Sequence, residues 1–149
     1  MGLDMYLTGK IRVGANYEHN NVSGVIYITK NGKEIDIPLK KVTDVCIDLG
    51  YWRKANAIHG YFVDNISGGL DECQEIYLDR SDLIDLLDKC SQVMANKDKA
   101  SEILPTKSGF FFGDTEYNDG YFNDIQLTID ILQAALKYDN IGYYYQASW

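Results

Sequence analysis

The chain has little proline, cysteine or histidine, and each shortage narrows what it can be. Its prolines are Pro38 and Pro105 alone, and no Gly/Ser-rich or low-complexity run interrupts its 149 residues. One domain spanning 1–149 is therefore expected. The cysteines (Cys46, Cys73, Cys90) are odd in number and lack C-x-x-C spacing. Such a set cannot close into a disulfide framework, and reduced thiols in a cytoplasmic compartment are the simplest expectation. Cys90 and Cys46 read as packed small side chains. With only His19 and His59 in the chain, a His-rich metal centre is excluded. A mixed site on His59, Cys73 and acidic groups finds no support in the spacing, so neither metal nor cofactor is expected. No run approaches the roughly 18 apolar residues of a membrane span. The start, MGLDMYLTGK, lacks the pattern of a signal peptide. There is also no Walker loop, no G-x-G-x-x-G, no H-E-x-x-H and no G-x-S-x-G. An enzyme is accordingly not the favoured class.

What is present is an ordinary core and an acidic surface. Hydrophobic residues make up 46% of the chain, enough to offset chain entropy and exclude disorder. The net charge of −8, from 22 acidic and 14 basic residues, works against direct binding to nucleic acid or anionic lipid. Two readings of the acidity stand: plain solubility, or imitation of nucleic acid towards a basic partner.

Hydrophobic periodicity gives the elements. Strands are expected at 4–7 and 10–13. Val25–Thr29 leads into Asn31-Gly32, a type I′ turn signal, and Ile35, Ile37 and Leu39 alternate on the return, with Pro38 marking an edge. A third strand carries Val45, Ile47 and Leu49 and ends at Gly50. Residues 51–65 read as a helix with Trp52, Ala55, His59 and Phe62 on one stripe. Residues 75–78 form a short strand, and a helix capped by Asp79 or Ser81 buries Leu83, Leu86, Leu87, Cys90, Val93 and Met94. A short turn over 97–104 precedes Pro105. Phe110–Phe112 reads as a short buried strand between Gly109 and Gly113. A helix from Asn118 carries Phe122, Ile125, Ile129, Leu132 and Leu136, and Tyr143–Gln146 is a last strand. The fold class is α+β: a mainly antiparallel sheet with about three helices packed on one face.

Three stretches could carry function. Trp52, Arg53, Lys54, Asn56 and His59 gather aromatic rings and fixed cations that suit an anionic or planar ligand such as a nucleotide. The same residues also read as core (Trp52, His59) beside a solvated face (Arg53, Lys54). Ser108–Tyr117 places glycines around three phenylalanines, followed by Asp114, Thr115 and Glu116. It reads either as a ligand-gripping loop, with Glu116 a contact, or as a buried strand followed by capping residues. Tyr143, Tyr144, Tyr145 and Trp149 are candidate interface anchors, with Tyr144 facing opposite to its neighbours. A homo-oligomer or a host-protein contact follows from them.

The segments MGLDMYL, GYWRKANAIHGYFVDN, LPTKSGFFFGDTEYN and YYYQASW resemble, over nearly the whole chain, a family of small bacteriophage and mobile-element proteins. Some members carry a phosphoglycerate kinase label, yet this chain lacks the length and the phosphate loop of that two-lobed enzyme. Where relatives show a basic residue and tryptophan after Ile58-His59, it has Gly60-Tyr61. The resemblance implies a non-enzymatic accessory protein acting in counter-defence, one that binds a host defence protein or sequesters a nucleotide-like signal. The alternatives are a small enzyme on a phosphorylated substrate, with His59 as acid or base oriented by Asp64 or Glu116, and a structural or virion-associated protein.

Overall fold

A computed structural model describes residues 2–14, 17–20 and 22–149. In chain order they form β1 (Asp4–Arg12), the hairpin β2 (Tyr27–Lys30) and β3 (Lys33–Asp36), β4 (Asp44–Arg53) and α1 (Asn56–Tyr61), which widens into a π-helical turn over Phe62–Ile66. Then come β5 (Ile76–Leu78), α2 (Arg80–Ala95), α3 (Ala100–Ile103), α4 (Asp119–Ala135) and β6 (Gly142–Ser148). β4, β1, β6 and β5 make one sheet in that order, with every neighbour antiparallel. The class is α+β.

Strand alternation decides what the sheet buries. Met5 and Leu7 of β1, Trp52 of β4, Tyr143, Tyr145 and Ala147 of β6, and Ile76 and Leu78 of β5 all enter one core. Helices supply the rest through Ile58, Leu83, Leu86, Cys90, Val93, Ile125 and Leu132. The opposite face carries Tyr6, Tyr51 and Tyr77 exposed to solvent. Asp79 starts α2 with a capping box: the Asp82 carboxylate accepts from the Asp79 N–H, and Asp79 accepts in return.

Several expectations need correction. The hairpin turn has positive φ at both Asn31 and Gly32 (53° and 73°), as a type I′ turn requires. However, among the described residues β2 and β3 pair only with each other, and β3 stops at Asp36, before Pro38 can cost the ladder a donor. β4 does not end at Gly50. Leu7 pairs with Gly50 and Thr8 with Asp48, so Leu49 is an inserted bulge residue and the strand runs on to Arg53. α4 packs directly on Gly50, since a Cβ there would lie 2.4 Å from Ile131 Cγ2.

Tyr51, Trp52 and Arg53 thus belong to a strand, paired with Tyr6, Met5 and Asp4. Trp52, Ala55, His59 and Phe62 all lie in the core, although Trp52 comes from the strand, Ala55 from the junction, and His59 and Phe62 from the helix and its π-helical turn. Their helical spacing reflects shared burial rather than one element. Phe110–Phe112 is a turn, closed by the Phe112 N–H to Gly109 O at 3.2 Å. On α4 the fully buried line is Tyr121, Ile125, Thr128, Leu132 and Ala135, with Phe122, Ile129 and Leu136 on its flank. Cys46 is exposed, whereas burial pushes the Cys90 thiol up to about 12.

Candidate functional site

The residues singled out around 52–59 divide into sealed and open groups. Trp52 is buried, and its indole donates to Thr128 Oγ1 at 2.9 Å; that hydroxyl in turn donates to the Asp124 carbonyl at 2.7 Å. Asn56 is also buried. Its amide donates to Phe112 O (3.1 Å) and Asp114 O (2.8 Å), and its carbonyl oxygen accepts from the Lys107 N–H (3.1 Å). All three bonds clamp the 107–114 loop. His59 lies 2.7 Å from the Tyr145 hydroxyl through Nδ1 and 3.0 Å from Asp71 Oδ2 through Nε2. The expected ligand contacts at Trp52 and His59 are therefore corrected, because their polar atoms are consumed inside the fold, whereas Asn56 spends its amide in the same way but lines the cleft beside Arg53 and Lys54.

The protonation of that histidine follows from its partners. Burial lowers its pKa, and the hydrogen bond to Asp71 only partly offsets this. A neutral imidazole carries one N–H, and an ionised carboxylate can only accept. Nε2 therefore donates to Asp71, and Nδ1 accepts from Tyr145. Burial also raises the Tyr145 phenol well above its ordinary value, so it remains a donor. The predicted orienting groups are replaced. Asp71 holds the imidazole, while Asp64 accepts from Lys107 Nζ at 2.6 Å and Glu116 lines a different cavity.

Arg53, Lys54 and Glu116 remain open, and the fold brings them together in a cleft of about 160 Å³ between the β4–α1 junction and the start of α4. Lys54 sits at φ 59°, a left-handed conformation rare outside glycine, and the Asn56 N–H closes back on its carbonyl at 2.8 Å. Among the described residues Lys54 makes no ion pair, and Arg53 reaches only Asp4 at 4.0 Å. The facing wall is acidic. Asp114 caps its own loop, accepting from the Glu116 N–H (3.0 Å) and the Asn118 side chain (3.3 Å). Asp124 is half-buried, and its carboxyl is pushed up to about 6, first by burial and then by Asp114.

A second cavity, of about 320 Å³, opens on the other side of the same loop. Phe110, Phe111, Phe112 and Trp149 line it, together with Asp71 and Lys107. Phe112 is buried as its floor, edge-on to His59 at 4.9 Å between ring centroids and to Trp149 at 6.2 Å. Gly109 is obligatory beneath it, because a Cβ would meet the Phe112 ring at 2.5 Å. Phe110, at the tip of the turn, is 95% exposed. The Trp149 indole donates to Asp71 Oδ1 at 3.2 Å, so one carboxylate holds both the tryptophan and the buried histidine.

No protein-family model, curated protein or solved structure matches this chain.

The four aromatic residues expected at an interface separate in the same way. Tyr143 and Tyr145 are buried, and this corrects their reading as surface anchors. The Tyr143 hydroxyl donates to Tyr138 O at 2.8 Å and accepts from Arg80 at 3.1 Å. Tyr144 points to the open sheet face as alternation requires, under Lys10 Nζ at 4.2 Å. Trp149 is 40% exposed and belongs to the aromatic cup. Sequence reasoning missed Asp71, Asp124, Thr128 and Lys107. Asp71 and His59 are joined only across a loop, and no spacing rule announces such a pair. Among the described residues, no three His, Cys, Asp or Glu side chains cluster as a metal site requires, and no helix is long and apolar enough to cross a membrane.

Proposed function

We propose that this chain is a non-catalytic binding protein of a bacteriophage or mobile element, and that it captures a host protein through the aromatic cup at Phe110 and Trp149. The observation that carries this reading is the contrast between the two kinds of side chain. His59, the group best suited to acid–base chemistry, is sealed between Tyr145 and Asp71, whereas Phe110 is held out in solvent at the end of a clamped turn. A phenylalanine this exposed lies outside the core, its ring touching Phe111 edge-on, and aromatic anchors dominate protein interfaces. The phage setting and a role in counter-defence rest on the family resemblance of the sequence.

The test is affinity capture from a bacterial lysate with the native chain and with Phe110→Asp. Because Phe110 is 95% exposed, that substitution leaves stability within about 0.5 kcal/mol. A protein retained by the native chain and lost by the variant is the expected result. An identical set of retained proteins on both would refute the cup as the docking site.

A second reading, sequestration of a small nucleotide-like ligand, draws on Arg53 and Lys54 sharing one cleft. The carboxylates of Asp114, Glu116 and Asp124 on its other wall oppose a polyphosphate.

A further inference from the structure

The chemistry of the cup narrows its occupant, an inference that rests on the cup being the docking site. Four aromatic side chains and one carboxylate surround a cavity of about 320 Å³, room for one long side chain rather than a peptide strand. The charges at its wall do not cancel. Lys107 is committed to Asp64 at 2.6 Å, which neutralises it. Asp71 receives two hydrogen bonds, from the Trp149 indole and from His59 Nε2, but neither donor brings a positive charge, because burial keeps the imidazole neutral. Each carboxylate oxygen keeps a further lone pair, since an ionised carboxylate accepts up to about four hydrogen bonds. The cup is therefore apolar, rich in π-faces and negatively charged. That combination is poor for an aliphatic or acidic side chain and good for an organic cation, which aromatic rings attract through their quadrupoles and a carboxylate holds through charge-assisted hydrogen bonds.

We infer that the cup is an aromatic cage for an arginine side chain presented by a basic partner protein, with the guanidinium stacked among Phe110, Phe111 and Trp149 and hydrogen-bonded to Asp71. Arginine fits better than lysine because its planar, weakly hydrated fork both stacks on rings and bridges a carboxylate. The whole-molecule field favours the same partner. Residues 10–41 hold six of the 14 basic and three of the 22 acidic residues, so the remainder, where the cup lies, carries eight basic against 19 acidic. A basic protein is drawn to that region.

The experiment follows the two indole N–H signals of the ¹⁵N-labelled native chain, one from core Trp52 and one from Trp149, during titration with N-acetyl-arginine amide. N-acetyl-citrulline amide, its uncharged isostere, is the control. The expected result is a saturable shift of the Trp149 signal with arginine and at least tenfold weaker binding of citrulline, with the Trp52 signal unmoved. Asp71→Asn should weaken arginine binding roughly tenfold, the loss of one charge-assisted contact. Because that change also touches His59, Phe110→Ala provides a second variant on a side chain that packs nothing in the core, and it should weaken binding about fivefold. Equal shifts with both probes, or no shift with either up to tens of millimolar, would overturn the cage. Phe110-dependent capture of a host protein alongside such a failure would leave the docking site standing and remove only its preference for a cation. Selective arginine binding without any captured protein would do the reverse.

Discussion

Replacing Asp124 by asparagine should make the protein more stable at neutral pH. The side chain sits half-buried on the cleft wall, its carboxylate accepts no hydrogen bond from any described residue, and Asp114 adds a like charge. Its pKa rises from 3.8 to about 6, which corresponds to a ceiling of roughly 3 kcal/mol against holding the charge in the fold. The cleft is open to water, so screening reduces this to ~1–2 kcal/mol. The sign follows from proton counting. Between those two pKa values the folded state binds the proton more tightly than the unfolded chain, so stability falls as pH rises through that window and stays low above it. Asparagine has nearly the same shape and no charge at any pH. The gain from Asp124→Asn should therefore be largest at pH 7.5 and clearly smaller at pH 5, read as the difference in urea midpoints between variant and native chain. A variant no more stable than the native chain at pH 7.5, or one with an equal gain at both pH values, would refute the reasoning.

Two other perturbations test the sealed residues. His59 titrates in the opposite sense: its folded pKa lies below the ordinary 6.5, so the unfolded chain takes up a proton that the fold excludes. The associated stability is present above that value and is lost as pH falls towards the folded pKa. Urea midpoints of His59→Gln should decline less steeply over that fall in pH than those of the native chain, and parallel slopes would count against a neutral buried imidazole. Asn56→Ala removes the three hydrogen bonds that clamp residues 107–114. At ~1 kcal/mol each, a loss of about 3 kcal/mol is expected, with faster amide exchange confined first to that loop. An unchanged midpoint would show that the loop holds without the clamp.

The parts of the fold legible in the sequence are those set by near neighbours. Asn31-Gly32 announces its turn because positive φ is a local property, and Asp79, one of the two caps the sequence offers, starts α2 through a capping box with Asp82, three positions on. The tyrosine run also obeys alternation, and this assigns Tyr143 and Tyr145 to one side and Tyr144 to the other. The failures come from distance. Tyr51–Arg53 look helical until Asp4–Tyr6 are placed beside them, and the Leu49 bulge that carries β4 past Gly50 exists only in that pairing. The candidate site divides in the same manner. Arg53, Lys54 and Glu116 could be named from their chemistry, but their meeting with Asp114 and Asp124 depends on where α4 crosses Gly50. The cup was half visible as an aromatic run, although three adjacent phenylalanines read as a buried strand until the turn from Gly109 is seen to leave Phe112 inside and carry Phe110 out.

The isolated hairpin has a further consequence. All eight residues of β2 and β3 are exposed, and the pair is hydrogen-bonded to no other strand among the described residues. A two-stranded ribbon of this kind is marginal on its own, so its amides exchange through a small local opening, while those of β1 and β6 wait for the body to unfold. Trp52 and Trp149 both lie within that body. Tryptophan fluorescence will therefore report a single cooperative melt and pass over the earlier loosening of the ribbon, which only site-resolved exchange can register.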